Sequence, residues 1–250
     1  MIVLKTSREL AIMKQACMIS AGALQTVANA VEPGVSTAEL DRLAEKYIRS
    51  KGAVPNFKNY QGYPATACIS INNEVIHGIP SEKRVLQNGD IVSVDLGAMF
   101  EGYHGDNAAT FAVGDVSHLA KRLMDVTKES LYMGIKAARP GGRIGDISNA
   151  VQTYVEANGF SVVRQFVGHG VGTKLHEEPE VPNFGKAGHG IRLMPGMTLA
   201  IEPMVNAGGY QVKVLKDGWT TVTADGTLSA HFEHTVVITE DGPKIMTVAE

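Results

Sequence analysis

Five acidic or imidazole side chains lie within or at the end of apolar, strand-like segments, where a solvated charge would be awkward to place. A carboxylate removed from water costs folding free energy unless it is paired or coordinates a metal ion. Five such positions in one chain favour a metal centre over a set of unrelated charges. They are Asp95 in IVSVD, Asp106 in GYHGD, His169 in FVGHG, Glu202 in LAIEPM and Glu233 in HFEHTVV.

Asp95 and Asp106 lie on consecutive strand-like segments joined through Phe100, Glu101 and Gly102. Their positions are symmetric about the bond between Phe100 and Glu101, so we expect a hairpin that sets the two carboxylates directly opposite each other. Opposed residues have Cβ atoms about 4.5–5.5 Å apart, and carboxylates that close repel unless a cation or a proton lies between them. Two metal ions about 3.5–4 Å apart, bridged by carboxylates, fit this spacing.

The charges of these residues predict how many cations the site holds. Four carboxylates carry a formal charge of −4, which two divalent cations balance, and the neutral imidazole of His169 adds a nitrogen ligand. Carboxylate and imidazole ligands without thiolate suit manganese, iron, cobalt or zinc. We therefore expect two divalent cations per chain, without a choice among these metals.

The composition limits the classes of function that the chain can have. Hydrophobic residues make up 44% and charged residues 20% of the 250 residues, and the net charge is −3. These values are ordinary for a globular chain and exclude the broad basic surface that nucleic-acid binding needs. The sequence has neither a secretory leader nor an apolar run of about 18 residues, so we expect a cytoplasmic protein without membrane contact. Cys17 and Cys68 match no metal or redox spacing and are expected to be free thiols.

Two segments share the pattern of an amphipathic helix after a Pro-Gly turn. The first spans Ser36 to Lys51 and the second includes Ile147 to Val155, each followed by a glycine. Residues of the two segments match in pairs, and in every pair the second residue follows the first by the same number of positions. This constant offset indicates an internal duplication. The pairs are Pro33 and Pro140, Gly34 and Gly141, Leu40 and Ile147, Tyr47 and Tyr154, and Gly52 and Gly159.

Each half contains a long helix, the Pro-Gly turn, the matched helix and then strands. The long helices are predicted from Ser7 to Val31 and from His118 to Ala138, and the strands are the β-branched runs that follow. This order predicts an α+β fold, with helices packed on one face of a mainly antiparallel sheet. We expect residues 1–250 to form a single catalytic domain of two pseudo-symmetric halves, with the site between them.

Five ordered motifs resemble those of type I methionine aminopeptidases, in the short bacterial form. The resemblance covers essentially the whole chain and implies the pita-bread fold of that family. It implies that Asp95 and Asp106 chelate one metal ion, that Asp106 and Glu233 bridge to a second, and that His169 and Glu202 complete the second. The motifs are ISINNEVIHGIP, VSVDLGAMFEGYHGD, FVGHGVGTKLHEEPEVPNFG, MTLAIEPMVNAG and DGWTTVTADGTLSAHFEHT.

The same resemblance implies that His77 in VIHGIP and His176 in KLHEEP contact substrate. Members of the family often have histidine where this chain has Gln61, and glutamine where it has His231. We expect both departures to lie near the site without being ligands. His104 and His234 lie close to predicted ligands in the sequence and are expected to pack near the site. The remaining histidines are expected to have no role there.

A hydrolytic mechanism follows from this set of residues. A water or hydroxide bridging two cations can attack an amide carbonyl near neutral pH, and Glu202 is the candidate to accept its proton and pass it to the leaving amine. His176 would hydrogen-bond the carbonyl oxygen, and His77 would orient the substrate near the scissile amide. Aromatic rings and a thiol suit a methionine thioether, which predicts a pocket formed by Phe57, Tyr60, Tyr63, Cys68 and Trp219.

The expected substrate is the N-terminal methionine of peptides and nascent chains, with a preference for a small second residue that rests on the resemblance alone. A monomer that contacts the ribosome surface would suit this role. One alternative is a proline-directed aminopeptidase or dipeptidase of the same fold, which normally has a sizeable N-terminal domain, whereas only residues 1–94 precede Asp95 here. A second alternative is a catalytically inactive pita-bread protein that binds partners.

Overall fold

The computed structural model describes residues 2–249, which form four α-helices, a short 3₁₀ turn and fifteen strands. The helices are α1 (Ser7–Ala28), α2 (Thr37–Ser50), α3 (His118–Ala137) and α4 (Ile144–Ala157). The strands of the first half are β1 (Val54–Pro55), β2 (Ala67–Ile71), β3 (Glu74–Ile76), β4 (Ile91–Phe100) and β5 (Tyr103–Ala112). Those of the second half are β6 (Ser161–Val162), β7 (Gly168–Gly170), β8 (Glu177–Val181), β9 (Thr198–Ile201), β10 (Met204–Asn206), β11 (Val212–Val214), β12 (Thr221–Thr223), β13 (Ser229–His231), β14 (Glu233–Thr239) and β15 (Gly242–Ile245).

The predicted helices are confirmed, and local chemistry explains where they start and stop. Ser36 caps α2, because its hydroxyl accepts a hydrogen bond from the backbone N–H of Glu39 at 3.2 Å. Gly52 and Gly159 follow the ends of α2 and α4 with φ angles of 73° and 79°, a left-handed conformation that favours glycine. The long helices end at Ala28 and Ala137, slightly before the predicted positions.

One nine-stranded antiparallel sheet receives strands from both halves of the chain. Its main order is β1-β4-β5-β14-β9-β7-β8, with β2 also pairing with β4 and β15 with β14. Two three-stranded sheets, β13-β10-β6 and β11-β12-β3, complete the fold. The predicted α+β class, with its pita-bread arrangement of helices on one face of an antiparallel sheet, is confirmed.

Apolar packing places one helix pair behind each half of the large sheet. Leu24 of α1 and Leu40 of α2 are buried in one cluster with Val94 of β4. Ile147 of α4 is buried in a second cluster with Leu199 of β9. Close approach is required in the first half, since a Cβ atom on Gly105 would lie 2.5 Å from the Cα atom of Cys17 in α1. The helices therefore pack on one face of the sheet and leave the other face free to form a site.

Equivalent backbone contacts in the two halves confirm the internal duplication. The N–H of Gly34 donates to the carbonyl of Leu86, and the N–H of Gly141 donates to that of Leu193, both at 2.8 Å. Isolated bridges join Ser36 to Val85 and Arg143 to Arg192. Both of these contacts in the first half have a counterpart in the second, shifted along the chain by the constant offset that the sequence indicates. The first residues of β4 and β9 are related by the same offset, so the two strands are counterparts.

The predicted register of the β4–β5 hairpin is wrong. Phe100 pairs with Tyr103, which leaves Glu101 and Gly102 as a two-residue turn with φ angles of 48° and 80°. Positive φ at both turn residues is the type I′ geometry, whose twist matches that of the flanking strands. The turn is thus centred one residue later than expected. Asp106 pairs with Gly97 rather than with Asp95, although both carboxylates remain on the same face as diagonal neighbours.

A membrane-spanning role finds no support in the helices: none within residues 2–249 has the length and apolar character needed to cross a bilayer.

The hairpin turn yields a stability prediction. Glu101→Asn should raise the free energy of unfolding by about 0.5–1 kcal/mol, because asparagine tolerates the left-handed conformation better than glutamate does. Urea denaturation of the two proteins measures the difference. Glu240→Asn is the matched control, since Glu240 lies in the other two-residue hairpin turn of this sheet, between Thr239 and Gly242, without a positive φ. Equal effects of the two substitutions would contradict the conformational explanation.

Candidate metal centre and substrate cavity

A cavity of about 350 Å³ opens on the face of the large sheet that the helices leave free. All of the residues predicted for metal, catalysis or substrate binding line it. They are Phe57, Tyr60, Tyr63, Cys68, His77, Asp95, Asp106, His169, His176, Glu202, Trp219 and Glu233. Sequence reasoning missed Ile76, Phe166, Val167 and Leu175 as lining residues, and it noted Gln61 only as a departure. Each of the four missed residues lies close in sequence to a predicted histidine, which is the signal that could have found it.

Five adjacent strands of the large sheet bring the acidic and imidazole side chains together. Asp95 lies on β4, Asp106 on β5, Glu233 at the start of β14 and His169 on β7, while Glu202 directly follows β9. The order β4-β5-β14-β9-β7 makes each of these strands a neighbour of the next. The sheet therefore gathers, at one level, residues that come from both halves of the chain.

His169 is oriented by its own backbone neighbourhood. Its Nδ1 atom lies 2.8 Å from the carbonyl of Gly170, which fixes the proton on Nδ1 and leaves the lone pair on Nε2. Nε2 lies 3.5 Å from Oε1 of Glu202 and 4.0 Å from Oδ2 of Asp106. Ligand atoms of Asp106, His169 and Glu233 all lie within 4.8 Å of one another. This arrangement can hold a metal ion, because a ligating imidazole needs its lone pair aimed inward.

Several carboxylate oxygens at this site are buried and accept no hydrogen bond from residues 2–249. They belong to Asp95 (Oδ1), Asp106 (Oδ1) and Glu233 (Oε1). A buried polar atom left unsatisfied costs about 1–3 kcal/mol, and more when it is charged. Oxygen donors that face one another without partners fit a divalent cation, since the cation would satisfy them together.

The pKa values of these groups show the cost of the clustered charges. Burial raises the pKa of Asp95 to about 7. Burial also raises the pKa of Asp106, Glu202 and Glu233 well above the ordinary value, and neighbouring carboxylates add to each shift. Burial, with a contribution from His176, lowers the pKa of His169 to about 3. Without a cation, the four carboxyl groups resist being ionised together. A bound cation reverses this preference and favours the ionised forms.

A second group of donors includes a residue for which the sequence predicted no role. His231 offers a ring nitrogen that lies within 4.8 Å of ligand atoms of Asp95 and Glu233. Burial lowers the pKa of His231 to about 4, with the carbonyl of Pro203 opposing the shift. The available signal was its position two residues before Glu233, since such residues in an extended chain share a face.

Aromatic and imidazole rings form the wall of the cavity beside the carboxylates. His77 has a φ angle of 60°, a strained conformation of the kind that clusters at functional sites. Its ring lies edge-to-face with Phe166 and Trp219, with centroid distances of 5.7 and 6.2 Å. Trp219 also packs edge-to-face on Tyr63 at 5.1 Å. These rings form one continuous apolar surface.

His176 joins the metal side of the cavity to its aromatic wall. Its ring centroid lies 4.2 Å from that of His169, and its Nδ1 atom lies 2.8 Å from the hydroxyl of Tyr60. Burial lowers the pKa of His176, so the ring is neutral near pH 7. In the tautomer in which the Tyr60 hydroxyl donates to Nδ1, the ring proton of His176 is on Nε2.

A curled antiparallel sheet that gathers four carboxylates and an imidazole at the floor of a partly apolar cavity defines a metal-dependent hydrolase. The chain belongs to metallopeptidase family M24, whose model matches residues 11–240. Membership of this family implies the use of divalent metal, which agrees with the donor set described above.

The similarity to individual proteins extends over the entire length. The chain is 55% identical to a methionine aminopeptidase from Clostridium perfringens over 99% of each sequence. It matches the crystal structure of a methionine aminopeptidase from Thermotoga maritima with a TM-score of 0.98 and 47% identity, covering 100% of both chains. It also resembles the prolidase from Pyrococcus furiosus, with a TM-score of 0.81 and 25% identity, but covers only 66% of that chain. Similarity to the methionine aminopeptidases is thus greater in both sequence and structure.

The raised carboxylate pKa values predict how the stability of the metal-free protein depends on pH. A carboxyl whose pKa is higher in the folded state stabilises that state below its unfolded pKa of about 4 and loses the contribution as pH rises through the folded value. In the presence of a chelator, the free energy of unfolding should therefore fall between about pH 6.5 and 8. Below that range buried histidines with lowered pKa values, such as His169 and His231, contribute the opposite trend. The slope is up to about 1.4 kcal/mol per pH unit for each such carboxyl. Urea titrations at several pH values measure it.

Asp106→Asn should make this decline shallower, because it removes one buried acid and its repulsion of Asp95 and Glu202. Asp125→Asn changes an aspartate on α3 that lies outside the carboxylate cluster and should leave the wild-type profile unaltered. A metal-free stability that does not change from about pH 6.5 to 8 would show that the cluster is not strained by its charges.

Proposed function

We propose that this chain removes the N-terminal methionine from peptides and nascent proteins, with a preference for a small second residue. It is a metallo-exopeptidase, a hydrolase of family M24. The observation that carries the proposal is the meeting of a carboxylate–imidazole cluster and an aromatic wall in one cavity. The methionine aminopeptidases from C. perfringens and T. maritima, similar along the full chain, support the same substrate.

The proposed centre holds two divalent cations, drawn from cobalt, iron, manganese or zinc. Asp95 and Asp106 would hold one cation, and Asp106, Glu233, His169 and Glu202 would hold the other. When bound, the cations lower the pKa of a water molecule and so supply a nucleophile near neutral pH. Support comes from the buried oxygens that have no hydrogen-bond partner and from the inward lone pair of His169.

Glu202 is proposed to move the proton during hydrolysis. Its carboxylate lies at the cavity surface, 3.5 Å from Nε2 of His169. It can accept a proton from the attacking water and deliver it to the leaving amine, a role that contributes about 10²–10⁴-fold to the rate.

His176 is proposed to stabilise the charge that develops on the scissile carbonyl oxygen. In the tautomer in which the Tyr60 hydroxyl donates to Nδ1 of His176, the Nε2–H group is free to donate into the cavity. A donor held in place before the reaction stabilises a developing oxyanion without reorganisation. His77, fixed between Phe166 and Trp219, is proposed to orient the peptide near the scissile bond.

The methionine side chain is proposed to occupy the space between Phe57, Tyr60, Tyr63, Cys68 and Trp219. The hydroxyl of Tyr63 donates to backbone carbonyls of the protein, at 2.9 Å to Gly78, so its ring presents only an apolar surface. Burial keeps the thiol of Cys68 protonated by raising its pKa well above the ordinary value. Sulfur–aromatic contacts then contribute about 0.3–1.5 kcal/mol each.

Other expectations remain predictions. They are the single catalytic domain over residues 1–250, the cytoplasmic location, the monomeric state and the contact with the ribosome surface.

Substrate choice tests the proposed function. Cleavage of Met-Ala peptides should exceed that of Leu-Ala peptides by about 10–200-fold in kcat/KM, since a branched side chain misplaces methyl groups in a pocket shaped for a linear one. Ala-Pro peptides should be poor substrates. Trp219→Ala should lower the Met-over-Leu ratio, whereas Tyr210→Ala, which removes an exposed aromatic ring, should not. Efficient cleavage of Ala-Pro with little of Met-Ala would instead favour a proline-directed peptidase, and no cleavage with added metal would favour an inactive binding protein.

The pair formed by Tyr60 and His176 predicts a difference between kcat and KM. His176→Ala should lower kcat by about 10²–10³-fold with a smaller change in KM, because the lost hydrogen bond acts mainly in the transition state. Tyr60→Phe should lower kcat less, since it removes only the group that selects the tautomer. Steady-state kinetics with a Met-Ala peptide measures both effects. Tyr154→Phe on α4 serves as a control outside the cavity, and an increase in KM alone would make His176 a simple binding group.

A further inference from the structure

His231 is a buried histidine whose ring nitrogens have no hydrogen bond of normal geometry to residues 2–249. It is 1% exposed, and the carbonyl of Pro203 acts on the ring from outside that geometry. A neutral imidazole carries one donor and one acceptor nitrogen, and buried polar groups almost always have partners. The Pro203 carbonyl can engage only one nitrogen, so the other is left for a partner that the described protein atoms do not supply.

The ring of His231 faces two carboxylates that have the same property. Its ring nitrogen and single oxygens of Asp95 and Glu233 all lie within 4.8 Å of one another. Asp95 Oδ1 and Glu233 Oε1 are also buried without hydrogen-bond partners among residues 2–249. Two donors that share a cation at 2.0–2.2 Å can be up to about 4.4 Å apart. The limit of 4.8 Å is close to that span, so the three groups can reach one ion with small side-chain movements.

The backbone of His231 is held firmly, which positions its ring. The Thr110 hydroxyl accepts a hydrogen bond from the N–H of His231 at 2.9 Å and donates one to its carbonyl at 2.8 Å. Thr110 lies on β5, the strand that also carries Asp106, and its hydroxyl is 2.8 Å from that of Ser93 on β4. This network ties the end of β13 directly to the two strands that provide the aspartates.

His231 and the two carboxylates differ in whether they border the cavity. Asp95 and Glu233 line the cavity, whereas His231 is absent from the described residues that do so. The imidazole is therefore buried without bordering the cavity itself, although it is near enough to His77 for the two rings to interact electrostatically.

We propose that His231 is a direct nitrogen ligand of the cation that Asp95 helps to hold, so that each of the two cations has one imidazole ligand. The inference rests on the proposed metal centre and deepens it. An imidazole at both positions shifts the preference of the centre from manganese, which carboxylates suit, toward iron or zinc. His169 and His231 then have matching roles, one in each of the two groups of donors that include Glu233.

Cadmium NMR tests the ligand assignment without using activity. The metal-free protein, labelled with ¹⁵N-histidine, is loaded with two equivalents of ¹¹³Cd²⁺, and each cadmium signal is examined for splitting by a bound imidazole nitrogen. In the wild type both signals should be split. His231→Gln should remove the splitting from one signal and His169→Ala from the other. His234→Gln is the matched control, because that ring adjoins Glu233 in sequence but places its Nδ1 2.8 Å from the hydroxyl of Thr247.

The affinity for Mn²⁺ provides a second measurement. His231→Gln should weaken the binding of one of two Mn²⁺ ions at least about tenfold, while His234→Gln should stay within about twofold of the wild type. Two bound cadmium ions with only one split signal in the wild type would overturn the proposal and make His231 a hydrogen-bond partner of the carboxylates. The proposed function would survive that result if Met-Ala cleavage persisted. Failure to bind any cadmium or manganese would overturn the metal centre and this proposal together.

Discussion

Electrostatic repulsion among four carboxylates that share one buried space is the constraint on which the rest of this structure depends. Ionised carboxylates at such distances disfavour one another, and burial adds to the penalty by removing water. Asp106, at the centre of the group, has its pKa raised by burial and by both Asp95 and Glu202. Such a cluster can persist only where the surrounding fold prevents the side chains from separating and where a cation can balance their charge.

The large sheet meets this requirement through its strand order. Each of five neighbouring strands provides one potential ligand, so the positions of these side chains follow from backbone hydrogen bonds rather than from mobile loops. The pseudo-twofold symmetry contributes directly, because Asp95 and Glu202 are separated by the same constant offset that relates the Pro-Gly turns and the starts of β4 and β9. Two copies of one supersecondary unit therefore supply counterpart acids to a single site. Helices α1 to α4 stabilise the sheet from the opposite face.

The imidazoles around the carboxylates differ in whether they border the cavity. His77 and His176 line it, where an aromatic neighbour or a hydroxyl orients each ring toward the space proposed for substrate. His169 also lines it, with its tautomer selected by Gly170. His231 is buried without bordering it, and its backbone is bound to Thr110.

Much of this organisation could be predicted from the amino-acid sequence, because it depends on local chemistry. The caps and glycines that delimit α2 and α4, the duplicated Pro-Gly turn and helix, and the acids in apolar strands are all patterns over a few neighbouring residues. The register of β4 and β5 could not be predicted from the spacing of Asp95 and Asp106. The type I′ turn at Glu101 and Gly102 decides it, and the energy of that turn depends on strand twist. The position of His231 also depended on the tertiary structure, since burial against Asp95 and Thr110 results from pairings between strands that are distant in the chain. Sequence determines which groups must avoid water, whereas only the folded sheet decides which of them meet.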